Sequence, residues 1–260
     1  MDPTAPASVP RLMDRLRRST RPALLWYAED GERVELSGRV LDNWSAKTAN
    51  LWVDELDLEA GDVVAVGDET HWRSLGLVLG AWTMGAAVRL VDPGAPAATG
   101  GDRAVAGLIR PDGELPAVLD PVPDGARAVV VDRPALSMGY RGPLPGGDAV
   151  DYCAEIRSHA DVYTGLEEPD PGTAALLDAT STGTLEHGEL TAAAAELAAA
   201  RSDPWGEAAA VHVPGRRMDG PFLLRVLAVL STGRAAVLTD RDTAGEGWAS
   251  VLAAENAVAW

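Results

Sequence analysis

The sequence predicts a layered α/β fold, with mostly parallel sheets flanked by helices and two subdomains related by an approximate internal repeat. Three observations carry this. Short apolar runs of strand length alternate with longer segments of helical spacing. Turn pairs such as Asp30-Gly31 and Gly61-Asp62 separate them. A second set of segments, after Gly172, reproduces the order of the first.

Taken in order, Ala23 to Tyr27 is an apolar run that reads as a strand, and Asp30-Gly31 turns it into a returning strand, Arg33 to Leu36. Ser37 can cap the helix that follows. That helix places Leu41, Trp44, Thr48, Leu51, Trp52 and Leu56 on one face. Gly61-Asp62 leads into the strand Val63 to Val66. A second helix spans His71 to Met84 and stops at Gly85, a residue suited to a left-handed C-cap. The strand Ala86 to Val91 ends at Asp92-Pro93. In the middle of the chain, Ala104 to Ile109 and Ala126 to Val131 read as strands, residues 134–147 as a loop rich in Gly and Pro, and Val150 to His159 as a helix.

The second half repeats this pattern. Residues 174–177 parallel 22–25, 184–190 parallel 34–40, 206–211 parallel 61–66, and 227–240 parallel 79–92, with Gly233 standing where Gly85 stands. The organisation expected is a first α/β subdomain over residues 1–133, a connecting loop and helix over 134–172, and a second subdomain over 173–260 that is a degenerate repeat of 22–92. Each subdomain is expected to be flavodoxin-like, with a ligand cleft between them at the carboxyl ends of the strands.

Composition bounds the partners. The chain has 260 residues, of which 47% are hydrophobic, enough for a sizeable core. The formal charge of −17 opposes binding to phosphate backbones or anionic membrane surfaces, so neither nucleic acid nor membrane is expected. No run of about 18 apolar residues occurs. The arginines near the N-terminus are not followed by a signal-type apolar stretch. Cys153 is the single cysteine and has no internal disulfide partner. These features point to a cytoplasmic protein.

Four segments of the first half, Lys47-Thr-Ala-Asn-Leu51, Gly61-Asp-Val-Val-Ala-Val66, Ala81-Trp-Thr-Met-Gly-Ala86 and Val91-Asp-Pro93, resemble the framework of the N-terminal domain of the acyl-adenylate-forming (AMP-binding, acyl-CoA synthetase-like) enzymes. The match looks closest to a group of short, stand-alone relatives of those enzymes. In that family a loop of the form T-S-G-T-T-G-x-P-K-G wraps the triphosphate of ATP. Backbone N–H groups and small hydroxyls can approach phosphate oxygens, and a lysine adds positive charge. The counterpart here is Thr180-Ser181-Thr182-Gly183-Thr184, followed by Leu185-Glu186-His187-Gly188. The second glycine, the proline and the lysine of the family loop have no equivalent, and Glu186 brings negative charge. Two readings stand: a hairpin turn equivalent to Glu29–Glu32, or a reduced phosphate loop.

The resemblance also implies that Pro214-Gly-Arg-Arg-Met-Asp-Gly220 matches a family segment, P-x-x-H-x-x-G, that lines the acyl pocket. Arg217 replaces the histidine, and Arg216 and Arg217 could hold an anion. The bland alternative is a solvated loop. The family's adenine, ribose and magnesium motifs, and the lysine of its C-terminal domain, have no counterpart in these residues. Lys47, the single lysine, falls inside the first helix. No catalytic residue and no metal ligand is therefore assigned. His71 reads as a capping or packing residue, His212 as a core histidine, and nothing near Cys153 argues for an activated thiol.

The expectation is a catalytically incompetent relative that takes AMP, ATP or an acyl ligand, or that regulates another protein. The alternatives are one part of a split ligase completed by a second chain, and a purely structural or interaction module.

Overall fold

A computed structural model describes residues 6–96, 101–146, 148–165, 168–178, 183–241, 243 and 246–260. In chain order, a helix α1 (Val9–Arg17) precedes the hairpin β1 (Pro22–Tyr27) and β2 (Arg33–Ser37). Next come α2 (Gly38–Leu56), β3 (Val63–Gly67), α3 (Trp72–Met84), β4 (Ala87–Val91), β5 (Ala104–Leu108), a 3-10 turn at Ala117–Leu119 and β6 (Arg127–Val131). The chain continues through β7 (Val150–Asp151), α4 (Tyr152–Glu155) and the hairpin β8 (Ala174–Asp178) and β9 (Gly183–Glu186). It closes with α5 (His187–Trp205), β10 (Ala210–His212), α6 (Gly220–Ser231), β11 (Ala235–Thr239), α7 (Glu246–Ala254) and β12 (Ala257–Ala259).

The strands form two sheets. One has the order β12-β10-β11-β1-β2 and the other β7-β6-β5-β3-β4-β8-β9. All pairings are parallel except within the two hairpins. The internal repeat is present, but each hairpin has crossed over. The first-half hairpin β1–β2 docks on β11, with Leu24 opposite Ala236. The second-half hairpin β8–β9 docks on β4, with Val88 opposite Leu176. The sheets therefore do not follow the boundaries at 133 and 172.

The two-residue alternation of the strands distributes side chains between three apolar clusters. Leu24 and Trp26 of β1, Val129 and Val131 of β6, and Ala236 and Leu238 of β11 share the large central core with α1, α2, α3, α5 and α6. The alternate residues Ala128 and Val130 face a second cluster behind the seven-stranded sheet. Leu25, Ala235 and Val237 face a third, covered by Trp248 of α7. Helices thus fill the space between the sheets and cover the outer face of the smaller one.

Local chemistry explains the helix ends. Ser37 caps α2, its side chain accepting from Val40 N, and His71 caps α3 by accepting from Arg73 N. Gly85 ends α3 at φ +86°, a conformation that costs an L side chain roughly 1–2 kcal/mol. Where α2 and α3 cross, a Cβ on Gly80 would lie 2.6 Å from Thr48 Cβ, so the close approach requires glycine.

Three segments differ from the sequence expectation. Residues 150–159 do not form one helix. Val150 pairs with Val129 in the sheet, and the Asp151 carboxylate accepts from Cys153 N and Ala154 N, so helical geometry starts only after it. The helix α1 lies outside the repeat pattern, although Val9, Leu12, Met13 and Leu16 have helical spacing and are buried. α7 and β12 add a crossover that the repeat did not include. No helix among the described residues is long and apolar enough to cross a membrane.

Candidate functional site

The carboxyl ends of the parallel strands in both sheets converge on a cleft. β1 and β11 reach it from the five-stranded sheet, and β5 and β6 from the seven-stranded sheet. The cavity there has a volume of about 530 Å³, with Trp26, Glu32, His71, Arg133 and Asp240 on its walls. Ligands of open α/β sheets bind in such crevices because connecting loops, not strands, line them.

The walls are rigidly organised. Arg73, on the first turn of α3, is buried beneath the cleft. Its Nη1 donates to the carbonyls of Asp132 (2.9 Å), Arg133 (2.6 Å) and Pro134 (2.7 Å), and Nη2 to that of Ala135 (3.0 Å). The guanidinium also lies 4.4 Å from the Trp72 ring centroid. One cation thereby fixes the turn that leaves β6. From the other side, Glu32 accepts from Ala135 N at 2.8 Å. The first hairpin is thus tied to the same turn.

His71 packs edge-on against Trp26, with ring centroids 5.0 Å apart. Burial, reinforced by Arg73 and Arg133, holds its pKa well below the usual imidazole range. It presents a neutral ring to the cleft. Asp240 accepts from Glu29 N at 2.6 Å, and burial raises its carboxyl pKa. Arg133 pairs with Glu69 and donates to the carbonyl of Ile109. Arg110 pairs with Asp112 at 2.7 Å. The two arginines on the cleft wall are therefore engaged with protein oxygens, while Glu29, Asp30, Glu32 and Asp240 make its polar surface acidic. Such a surface suits hydroxyl and amine donors better than it suits a triphosphate.

The sequence-predicted residues that are described do not line this cleft. Gly183 and Thr184 belong to β9, where Thr184 is exposed and opposes Leu177. Thr180, Ser181 and Thr182 lie outside the described residues. Asp178, at the end of β8, accepts from Gly220 N at 2.8 Å in a buried contact. The segment Pro214–Asp219 straps the two sheets together. Thr70 Oγ1 donates to the Gly215 carbonyl at 3.0 Å, and Met218 N donates to the Asp68 carbonyl at 2.6 Å.

Within this strap the two arginines part company. Arg217 pairs with carboxylates of the chain itself. Its Nε lies 2.7 Å from Asp68 Oδ2, and its Nη1 lies 3.5 Å from Asp92 Oδ2. Burial raises the Asp68 pKa, and Arg217 opposes that rise. Arg216 points the other way and donates one hydrogen bond to the Asp240 carbonyl at 3.0 Å.

The remaining residues weighed from sequence have structural surroundings. Lys47 forms an ion pair with Asp161 at 2.8 Å and donates to the His159 carbonyl. Cys153 is buried, and burial pushes its thiol pKa up. No group of three or more His, Cys, Asp or Glu side chains converges among the described residues. Sequence reasoning missed Trp26, Glu32, Arg133 and Asp240 as cleft residues. Their common signal is position, at or just beyond the end of a strand.

No family model matches the chain. A Mycobacterium tuberculosis protein named as a TIGR03089 family protein is 33% identical over 152 residues, which cover 58% of this chain and 58% of that relative. The structure is similar to that of an acyl-CoA synthetase from Brucella canis, with a TM-score of 0.72 and 18% identity. That similarity covers 97% of this chain and 47% of the synthetase. MatB from Rhodopseudomonas palustris superposes with a TM-score of 0.67 and 16% identity over 98% of this chain and 49% of MatB. The nonribosomal peptide synthetase FmoA3 gives a TM-score of 0.69 at 17% identity, again over 98% of this chain but 25% of the synthetase. The chain spans about half or less of the length of these solved proteins. At such identities the likeness is one of architecture: the chain has the fold of the N-terminal domain of the adenylate-forming, acyl-CoA synthetase-like enzymes.

Proposed function

We propose that this chain is a ligand-binding member of that fold group which does not form acyl-adenylates by itself. Its ligand is a small nucleotide or acyl compound that meets the acidic cleft at the carboxyl ends of the parallel strands through its hydroxyl or amine donors rather than through phosphate. The observation that carries this reading is the state of two cations, Lys47 and Arg217. Adenylate chemistry needs positive charge at the developing phosphate oxygens. Here the single lysine is paired with Asp161, and Arg217 is locked between Asp68 and Asp92. A cleft stands at the strand ends, and one of the similar structures is MatB with ATP bound.

A thermal-shift series with AMP, ATP and acyl-CoAs, run beside a pyrophosphate-release assay with ATP and carboxylic acids, tests both halves of the reading. The expected result is stabilisation by at least one ligand with no pyrophosphate. A ligand present at 100 times its dissociation constant adds roughly 2.7 kcal/mol of stability. Pyrophosphate release by the purified chain would overturn the non-catalytic half. The absence of any shift would overturn the binding half.

A second reading has its own support. The chain spans 47–49% of the acyl-CoA synthetase and MatB structures, so another polypeptide could supply the remainder of a ligase. Release of pyrophosphate only when such a polypeptide is added would favour it.

A further inference from the structure

Both sheets reverse their winding direction at one place, and the strand ends beside the two reversals carry different charged groups. In the seven-stranded sheet the chain passes from β3 to β4 and then returns past β3 to β5. In the five-stranded sheet it passes from β10 to β11 and returns past β10 to β12. The switch points lie between β3 and β5 and between β10 and β12, and beside each of them a crevice stands at the carboxyl ends of the neighbouring pair, β3–β4 and β10–β11. In the larger sheet Asp68 after β3 and Asp92 after β4 flank the crevice of that pair, and Arg217 bridges them.

The crevice in the smaller sheet is open, and the charged groups on it among the described residues are basic. Its cavity, of about 460 Å³, has His212 at the end of β10, Thr239 and Arg241 at the end of β11, and Arg216 and Thr243 at its rim. No carboxylate stands among the described residues on its walls. Asp240, which the sequence places between Thr239 and Arg241, directs its carboxylate to Glu29 N and leaves only its carbonyl for Arg216. Neither Arg216 nor Arg241 has an ion-pair partner among the described residues. In a chain of net charge −17, two guanidinium groups without an ion-pair partner among the described residues at one crevice are a departure from the surrounding field. The Thr239 hydroxyl accepts from Arg241 N at 2.9 Å, which fixes the strand end from which that arginine projects.

We propose that this crevice is a binding site for the phosphate group of a small phosphorylated ligand, held by Arg216 and Arg241 with hydrogen bonds from His212 and Thr243. Two guanidinium forks can meet several oxygens of one phosphate. The site is separate from the acidic cleft and does not depend on what that cleft binds.

Inorganic pyrophosphate is the probe, and calorimetric titration at low ionic strength is the measurement. The unaltered protein should bind it. Arg216→Gln and Arg241→Gln should each weaken binding by a factor of roughly ten, and the double variant more. Arg217→Gln should leave it unchanged, because that side chain serves the other crevice. Circular dichroism of each variant separates loss of the site from loss of the fold. No heat from pyrophosphate with the unaltered protein, or equal binding by the folded double variant, would overturn the proposal. Malonate binding as tightly as pyrophosphate would overturn the phosphate assignment in favour of a carboxylate. If nucleotide or acyl ligands stabilise the double variant while pyrophosphate no longer binds, the cleft reading stands on its own; the converse pattern would leave only the crevice.

Discussion

Nη1 of Arg73 lies 2.9 Å from the carbonyl oxygen of Asp132, and the same guanidinium serves three further carbonyls in succession. A buried cation neutralised by backbone dipoles has no carboxylate to lose, so its removal acts on the backbone. Arg73→Met would leave those carbonyls without this donor in a partly buried turn. Each unsatisfied group costs about 1–3 kcal/mol. The variant should lose at least roughly 3 kcal/mol, read as a lower urea midpoint at unchanged m-value. A loss below about 1 kcal/mol would show that the 132–135 turn holds without the arginine.

Gly85 and Gly233 occupy equivalent places after α3 and α6, and both have positive φ, +86° and +78°. Replacing either with Ala places a Cβ in the left-handed region at roughly 1–2 kcal/mol. The surroundings differ. A Cβ on Gly233 meets nothing within 4 Å, whereas one on Gly85 lies 3.2 Å from Ala60 Cβ. Gly85→Ala should therefore lower Tm further than Gly233→Ala. At about 2–4 °C per kcal/mol for a chain of this size, scanning calorimetry resolves the difference. Equal shifts would mean that Ala60 moves aside freely.

These two glycines also mark what was legible in the sequence. Helix caps, strand runs and turns depend on neighbours in the chain, so Ser37, His71, Gly85 and the strands β1 to β6 could be read locally. The direction of the second half followed from its likeness to the first. The hairpin exchange could not be read. Nothing in residues 22–37 distinguishes pairing with β4 from pairing with β11, since both are apolar parallel strands. The site was legible only as a place, the strand ends. Arg216 and Arg217 are adjacent and chemically alike, and only tertiary contact separates the one locked by Asp68 from the one left at the basic crevice. Asp240 reads as a surface carboxylate until Glu29 N is placed against it.

His212 couples the basic crevice to acid stability. Its ring packs edge-on to Trp248 at 4.9 Å, and burial lowers its pKa from 6.5 to about 4. With the folded pKa depressed, the unfolded chain takes up the proton first. The contribution is fully present above pH 6.5 and is lost as pH falls from 6.5 to 4. At 1.36 kcal/mol per unit, the loss is roughly 3 kcal/mol. Asp42, Asp68, Glu69 and Asp240 act in the opposite sense, because burial raises their pKa values and protonation favours the folded state. The difference between the unaltered protein and His212→Phe isolates the histidine. Plotted against pH, that difference should change by roughly 3 kcal/mol between pH 7 and 4 in denaturant titrations. A flat difference would mean that the ring protonates within the fold.

The exchanged hairpins make the two halves interdependent. Residues 1–133 contain β1–β2 but not β11, the strand on which that hairpin docks. They contain β4 but not β8, which covers its edge. Residues 173–260 have the complementary deficits. Either fragment alone would expose an unpaired apolar strand edge and half of the central core, in which β1 and β11 pack side by side against helices drawn from both halves. Neither fragment should therefore unfold cooperatively, and each should show weak near-ultraviolet circular dichroism despite retaining helix. Moving residues 22–37 to the C-terminal side of the second-half fragment should rescue it, because the hairpin would then accompany β10, β11 and β12. A sharp thermal transition from residues 1–133 alone would show instead that β3 to β6 form a self-sufficient sheet, and that the crossover adds connection without stability.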